Sequence, residues 1–345
     1  MLLLLQIKRA EQSIAHRGDA QPPGCSGSDG APYATGANVN TILLTVQTLN
    51  GLQLGLILFL IAAGLTLVFG VMDFINLAHG VQYMLGAYFM VLFYGLTGHF
   101  FAGLVLAVLA AILAGLILEI VVFRHLYDRS HLDQVLATFG LILFVNEGVR
   151  MIWGSVPISI PTPEILQGAV VLMPGLLYPT YRLAVIGAGI VVAILLYILV
   201  THTRIGMQVR AGAANAPMVS ALGVNIRGLF MVIFGIGAML AGFAGAMAGP
   251  IFSVEPGMGD HVLILAFVVI VIGGIGSIRG AFIAALLVGL VDTLGRSFAT
   301  DFFRLFLDPS AANSVGPAVS SMLIYILMAA VLFFRPAGLF PAPGK

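Results

Sequence analysis

Charge is what this chain of 345 residues has least of: 15 Lys and Arg with 14 Asp and Glu make up only 8% of it. Soluble domains carry about 25%. Cysteine is scarcer still, and the lone Cys25 excludes an intrachain disulfide. Whole chemistries are missing too. There is no G-x-x-x-x-G-K-[ST] loop, and the only Gly-Lys is the terminal pair, so the chain cannot cradle nucleotide phosphates in that way. HExxH, CxxC and Gx-S-xG are absent, which argues against a hydrolase or metalloenzyme. His79 has no second ligand at metal spacing, so neither a metal nor a cofactor is expected. A net charge of +1 argues against nucleic acid as a partner.

What is present is apolar surface: 60% hydrophobic residues and a mean hydropathy of +1.09. No soluble fold hides that much, so the lipid bilayer is the expected solvent. The apolar runs are continuous and about 20 residues long, the signature of membrane helices, without the alternation of an outer-membrane barrel. The expected fold is an all-α polytopic bundle of eight or nine spans. They are read at about 41–69, 74–95, 100–123, 134–153, 183–200, 229–250, 262–278, 280–300 and 317–334. The 42 Gly exceed the roughly 7% of average usage. In lipid, glycine permits close helix contacts and breaks. Residues 1–40 stand apart. Lys8 and Arg9 follow the short Leu2–Leu5 run instead of preceding it, unlike a secretory signal. The stretch QPPGCSGSDGAPYATGANVN reads as a disordered leader, which leaves residues 41–345 as one transmembrane domain.

Basic residues gather in the joints 124–133 and 201–228 and after the last span at Arg335, and the positive-inside rule puts these in the cytoplasm. Nine full crossings then place the N-terminus outside, whereas Lys8, Arg9 and Arg17 favour inside. A resolution is that 74–95 enters and leaves from the outer side, a re-entrant or broken segment near residues 70–86. Gly70, Gly80 and Gly86 mark where such a break would fall.

Within GVMDFINLAHGVQYMLGAY, Asp73, Asn76, His79 and Gln82 recur at every third position. On a helix they share a face, a polar stripe at membrane depth. Buried without partners, each such group costs several kcal/mol, roughly, and intramembrane polar residues mark functional sites by default. At a helix end, Asp73 and Asn76 would instead be solvated.

The joint THTRIGMQVRAGAANAPMVSALGVNIRG is too long for a simple turn. Asn215 is an N-cap, Pro217 falls in a first turn, and Gly223 suits a left-handed stop. These residues predict a short helix, Ala216 to Leu222, with Met218, Val219 and Leu222 free to dock. Such a helix fits a groove on a cytoplasmic partner, or lies among headgroups with Arg204, Arg210 and Arg227 near lipid phosphate. The joint GGIGSIRG, Gly273 to Gly280, predicts a tight reversal, with Arg279 marking the cytoplasmic face. Glu147 with Arg150, and Asp292 with Arg296, are spaced to pair. Glu119 is expected to approach the headgroups.

INLAHG followed by YMLGAY, then TRIGMQVRAGAAN…ALGVN, then VIGGIGSIRGAFIAALLVG, in that order over about Leu49 to Leu339, resemble the permease subunits of branched-chain amino acid ABC importers. The resemblance implies a bacterial inner-membrane permease that is not itself an enzyme. It implies a second, related permease chain, two cytoplasmic ATP-binding subunits and a periplasmic substrate-binding protein as partners. By the same resemblance, Asp73, Asn76, His79, Gly80, Gln82 and Tyr83 fall in the translocation core. Residues 201–228 become a coupling loop, with Arg210, Ala211, Ala214, Asn215, Leu222, Gly223 and Asn225 as the ATPase-docking set. The loop departs from its relatives, which often carry charges where AGAANAPMVSA has none. Urea and short-amide permeases belong to the same family, and the residues do not separate them. From a different class, a proton-coupled secondary transporter would use Asp73 or His79 as a relay. A channel would need a repeated filter motif that the chain lacks.

Overall fold

The computed structural model describes residues 36–340; the expected leader lies, up to residue 35, outside the described residues. Ten α-helices are described. α1 is Gly36–Met72, α2 His79–Thr97, α3 Phe100–Val121, α4 His131–Trp153 and α5 Thr180–His202. α6 is Arg204–Ala221, α7 Ile226–Ala248, α8 Met258–Gly273, α9 Ile278–Phe303 and α10 Pro309–Phe334. Eight are long and apolar enough to cross a bilayer. Of the other two, α8 has 16 residues, about 24 Å of helix against a hydrocarbon core of about 30 Å. The polytopic helical bundle is as expected. A small antiparallel hairpin, β1 (Ala169–Met173) with β2 (Leu176–Pro179), decorates the joint 154–182.

α1 is the post around which the bundle is built, and most of its span is buried. Lipid offers no hydrophobic force between helices, so close backbone packing has to supply the contact. A Cβ at Gly55 would lie 2.8 Å from the Ala285 carbonyl oxygen of α9, and one at Gly51 3.0 Å from that of Gly289. Near its end, Gly70 meets Gly276 at 2.9 Å by the same measure. These pairs run in opposite directions along the two helices, so α1 and α9 are antiparallel. α1 therefore ends beside the basic joints, where Val71 also touches Gly212 of α6. Its other end lies under the 154–182 joint: Asn50 Oδ1 accepts from Tyr178 Oη at 3.1 Å and from Arg182 Nη1 at 2.7 Å.

That course corrects one expectation. The chain is interrupted near residues 70–86, at 73–78, but the interruption opens on the basic side. α2 is unbroken and leads away from that side. α2, α3 and α7 pack as a tight trio, with Gly86 against Gly242, Gly242 against Ala111, and Gly115 against Ala238.

Glu119 is enclosed by its own chain: it is 1% exposed, held by Arg124 Nη2 at 3.3 Å and by the Tyr127 hydroxyl, which donates at 3.2 Å. A buried carboxylate needs such partners. Glu147 and Arg150 pair in solvent at 2.9 Å, and Arg296 grips Asp292 through both carboxylate oxygens at 3.0 Å, as their spacing suggests. The glycine joint reverses tightly, with Gly274 and Gly276 at φ of 102° and 83°, and Ser277 Oγ caps α9 by accepting from Gly280 N at 3.1 Å.

Candidate functional site

The polar residues after α1 do not form one helical stripe. α1 stops at Met72 because Asp73 adopts φ +50°, a left-handed conformation that aspartate tolerates better than most residues. Asp73 is exposed and terminates the helix. Residues 73–76 then follow no regular secondary structure. The Ile75 amide donates to Gln134 Oε1 at 3.2 Å, and the Phe74 ring meets Phe123 and Tyr127 edge-on, each at 5.6 Å. α2 begins only at His79, so His79, Gly80, Gln82 and Tyr83 are helical while Asp73 and Asn76 precede the helix.

The structure buries Asn76, His79 and Gln82 in the interior, at 0%, 0% and 2% exposure. The His79 ring wedges between α1 and α7: a Cβ at Gly64 would sit 2.9 Å from its Nε2, and one at Gly237 3.4 Å from its Cε1. A side chain at Gly64 would displace the ring, whereas a Cβ at Gly237 would only make ordinary contact with it. The Gln82 amide points to α3, where a Cβ at Gly115 would be 3.6 Å from Nε2. The Ile61 carbonyl and the Gln82 side chain lie alongside the imidazole. Even so, none of the six polar side-chain atoms of Asn76, His79 and Gln82 has a partner in good hydrogen-bond geometry. Gly80 lets α2 touch α8 at Gly259, and Tyr83, 2% exposed, presents its carbonyl to Gly245. The cluster carries amide donors, amide acceptors and an imidazole that offers one of each when neutral. It can solvate a dipolar or zwitterionic solute by hydrogen bonding. Among the described residues no three His, Cys, Asp or Glu side chains gather as metal ligands do.

The second candidate region is α6. Its sequence signals are local, and they operate as written. Thr203 Oγ1 caps the first part, accepting from Gly206 N at 3.1 Å. Asn215 leaves helical geometry at φ −161°, and its Oδ1 accepts from Met218 N at 2.9 Å, so a second short helix starts there with Pro217 in its first turn. Gly223 at φ +88° stops it, with its amide donating to Ser220 O at 2.9 Å. Asn225 is the cap of α7, accepting from Gly228 N at 3.0 Å. Arg210 is exposed, and its guanidinium donates to the Val200 carbonyl. Ala211, Ala214 and Asn215 are exposed as well.

Of the three apolar residues expected to be free, Val219 is buried at 7% exposure and anchors the helix to its own chain. Met218 and Leu222, at 61% and 78%, point away from it. On the inner side, a Cβ at Gly212 would lie 3.2 Å from Val71 and 3.3 Å from Leu229. α6 thus rests on the end of α1 and the start of α7, and the end of α1 leads directly into the 73–78 link.

Two residues that matter here had no signal in the sequence pattern. Gln134, 2% exposed, accepts from Ile75 and donates to the carbonyls of Leu126 and Arg129 at 3.2 and 3.3 Å, so it ties the link to the 126–131 turn. A lone glutamine in the first turn of an apolar span was its only trace. Tyr127 caps the Glu119 carboxylate, and burial together with that negative charge pushes its phenol above the usual range.

A family model described as the permease component of branched-chain amino acid transport systems matches residues 47–332. The chain is 31% identical over 313 residues to the high-affinity branched-chain amino acid transport system permease protein BraD of Pseudomonas aeruginosa, covering 86% of this chain and 95% of the relative. It is 28% identical over 317 residues to the permease protein LivH of Escherichia coli strain K12, with the same coverage. A probable LivH of Methanocaldococcus jannaschii is 26% identical over 145 residues, 42% of this chain and 43% of the relative. No solved structure matches significantly.

Proposed function

The chain belongs to the permease-component family of branched-chain amino acid transport systems, and from that premise we propose that it is the conduit subunit of an ATP-driven importer in a bacterial inner membrane. Its cargo is branched-chain or other hydrophobic amino acids. A second, related permease chain completes the pathway, two cytoplasmic ATP-binding subunits drive it, and a periplasmic binding protein delivers the solute. The names of the relatives favour amino acids over urea or short amides as cargo.

The observation that carries this reading is α6. A capped, kinked helix projects Met218 and Leu222 from the basic face of the chain while its inner side rests on α1 and α7. Two exposed apolar side chains at i and i+4 suit a groove on a partner. Movement of the ATPases would press α6 on Val71 and Leu229, and Val71 lies two residues before the Asp73 break. The 73–78 link would carry the displacement to His79 and Gln82. Opening the seam between α1, α2 and α7 would then expose the orphan polar atoms to the zwitterionic end of an amino acid. The glycine contacts along that seam make small rigid-body movements feasible.

Purification from the native membrane tests the proposal. Two nucleotide-binding proteins and a sister permease should accompany the chain, and Leu222→Asp should release the former and keep the latter. Recovery of the chain alone, with uphill uptake by the lone chain in vesicles, would overturn it.

A further inference from the structure

α5 and α9 both lean on α1, through Gly189 against Leu56 and Gly289 against Gly55, but they do not pack closely on each other. Between them lies a slot of about 420 Å³. Its floor is Phe59 of α1, edge-on to Phe282 at 5.0 Å. Ile190, Ala193 and Ile194 form one wall, and Phe282 and Ile283 the other. From Ile190 to Tyr197 the slot follows α5 for seven residues, about 10 Å of helix.

The basic end of the slot has a different chemistry. Arg279 Nη2 donates to the Tyr197 hydroxyl oxygen at 3.3 Å, and the guanidinium stands 5.6 Å from that ring's centroid. Because the phenol oxygen accepts in this bond, its own proton remains available to a second acceptor. Arg279 is exposed and enters none of the four ion pairs among the described residues. An unpaired cation with a spare hydroxyl donor at the bilayer surface, above an apolar slot directed at the bilayer centre, repeats the order of groups in a phospholipid. The side chain of an amino acid is too short to fill a slot that follows about 10 Å of helix.

We propose that this slot binds one anionic glycerophospholipid of the cytoplasmic leaflet, its phosphate on Arg279 and Tyr197 and its acyl chain between α5 and α9. Guanidinium groups favour phosphate through paired donors, and a basic side chain near an anionic leaflet gains about 1 kcal/mol in lipid affinity.

The test uses the full chain, in whatever complex it forms, reconstituted into nanodiscs of equal phosphatidylglycerol and phosphatidylcholine, with the lipid retained after detergent washing measured by native mass spectrometry. The wild type should hold one phosphatidylglycerol in preference to phosphatidylcholine. Arg279→Gln should lower that retention about fivefold and abolish the preference, and Arg279→Lys should restore part of it. Tyr197→Phe should weaken it less than Arg279→Gln, and Ala193→Phe should displace both lipids by filling the slot. Equal retention of the two lipids by the wild type would overturn the proposal. So would an Arg279→Gln variant that still prefers phosphatidylglycerol, or a photo-crosslinker at residue 193 that captures a protein subunit in place of lipid.

Discussion

Gly86→Ala is the sharpest test of how the bundle is held. In the wild type Gly86 lies mid-way along α2, against the backbone of Gly242 on α7. A Cβ at position 86 would come 2.7 Å from the Gly242 carbonyl carbon and closer still to its oxygen and Cα. These are backbone atoms, so no rotamer change relieves the contact, and the helices must part by about 1 Å. A gap of that size forfeits a quarter to half of the dispersion energy of the atoms that lose contact. Overpacking costs typically 1–3 kcal/mol, and the rigidity of both partners places this site near ~3. Alanine gains at most about 1 kcal/mol over glycine in helix propensity. The net destabilisation is therefore about 2 kcal/mol, roughly 25-fold in the folding equilibrium. Gly95→Ala, in the same helix, is the control, because nothing lies within 4 Å of the added methyl. It should be neutral or stabilising by up to about 1 kcal/mol. Reversible unfolding of both variants in mixed micelles gives the comparison. If the two shift stability in the same direction and by similar amounts, α2 and α7 do not cross where the structure has them.

Asn76→Ala and His79→Ala should each lower uptake in whole cells by several-fold while the complex still assembles; normal uptake in both would remove the buried cluster from the pathway. Asn215→Ala removes the cap on the second part of α6 and should cost about 1 kcal/mol of local helix stability, read as faster amide exchange confined to residues 216–222. Arg124→Leu leaves the Glu119 carboxylate with only the Tyr127 hydroxyl and should destabilise the chain by about 2 kcal/mol, less than a fully buried pair because Arg124 is 38% exposed; Glu119→Gln together with Arg124→Leu should recover part of that loss in the same unfolding assay. The Tyr127 phenol, raised by burial first and then by Glu119, should resist ionisation well beyond pH 10. Since its folded value lies above its unfolded one, stability from this group is present below the unfolded pKa and declines as pH rises through about 10 toward the folded value; ultraviolet titration of wild type against Tyr127→Phe reads it.

Composition by itself determined that this is a membrane helix bundle, because apolar runs of this length have no other stable solvent. It also determined the short helix after Asn215, since a cap, an early proline and a stopping glycine act over a few residues and need no distant partner. The spacing of Glu147 with Arg150 and of Asp292 with Arg296 was legible for the same reason. Other features depended on contacts far apart in the chain, and only the tertiary structure could decide them. The three-residue spacing of Asp73, Asn76, His79 and Gln82 suggested one helical face, but Phe74 and Ile75 are drawn to Phe123, Tyr127 and Gln134, and Asp73 turns left-handed to let them reach. Glu119 is buried because Arg124 and Tyr127 fold back onto it. Val219 turns inward while Met218 beside it turns out, a choice set by where α6 rests. Glycine content announced close packing, but the particular pairs, Gly51 and Gly55 with α9 or Gly86 with Gly242, exist only once the helices are antiparallel and in register. Periodicity along one segment reports its own faces. Which neighbour each face meets is settled by all the segments together.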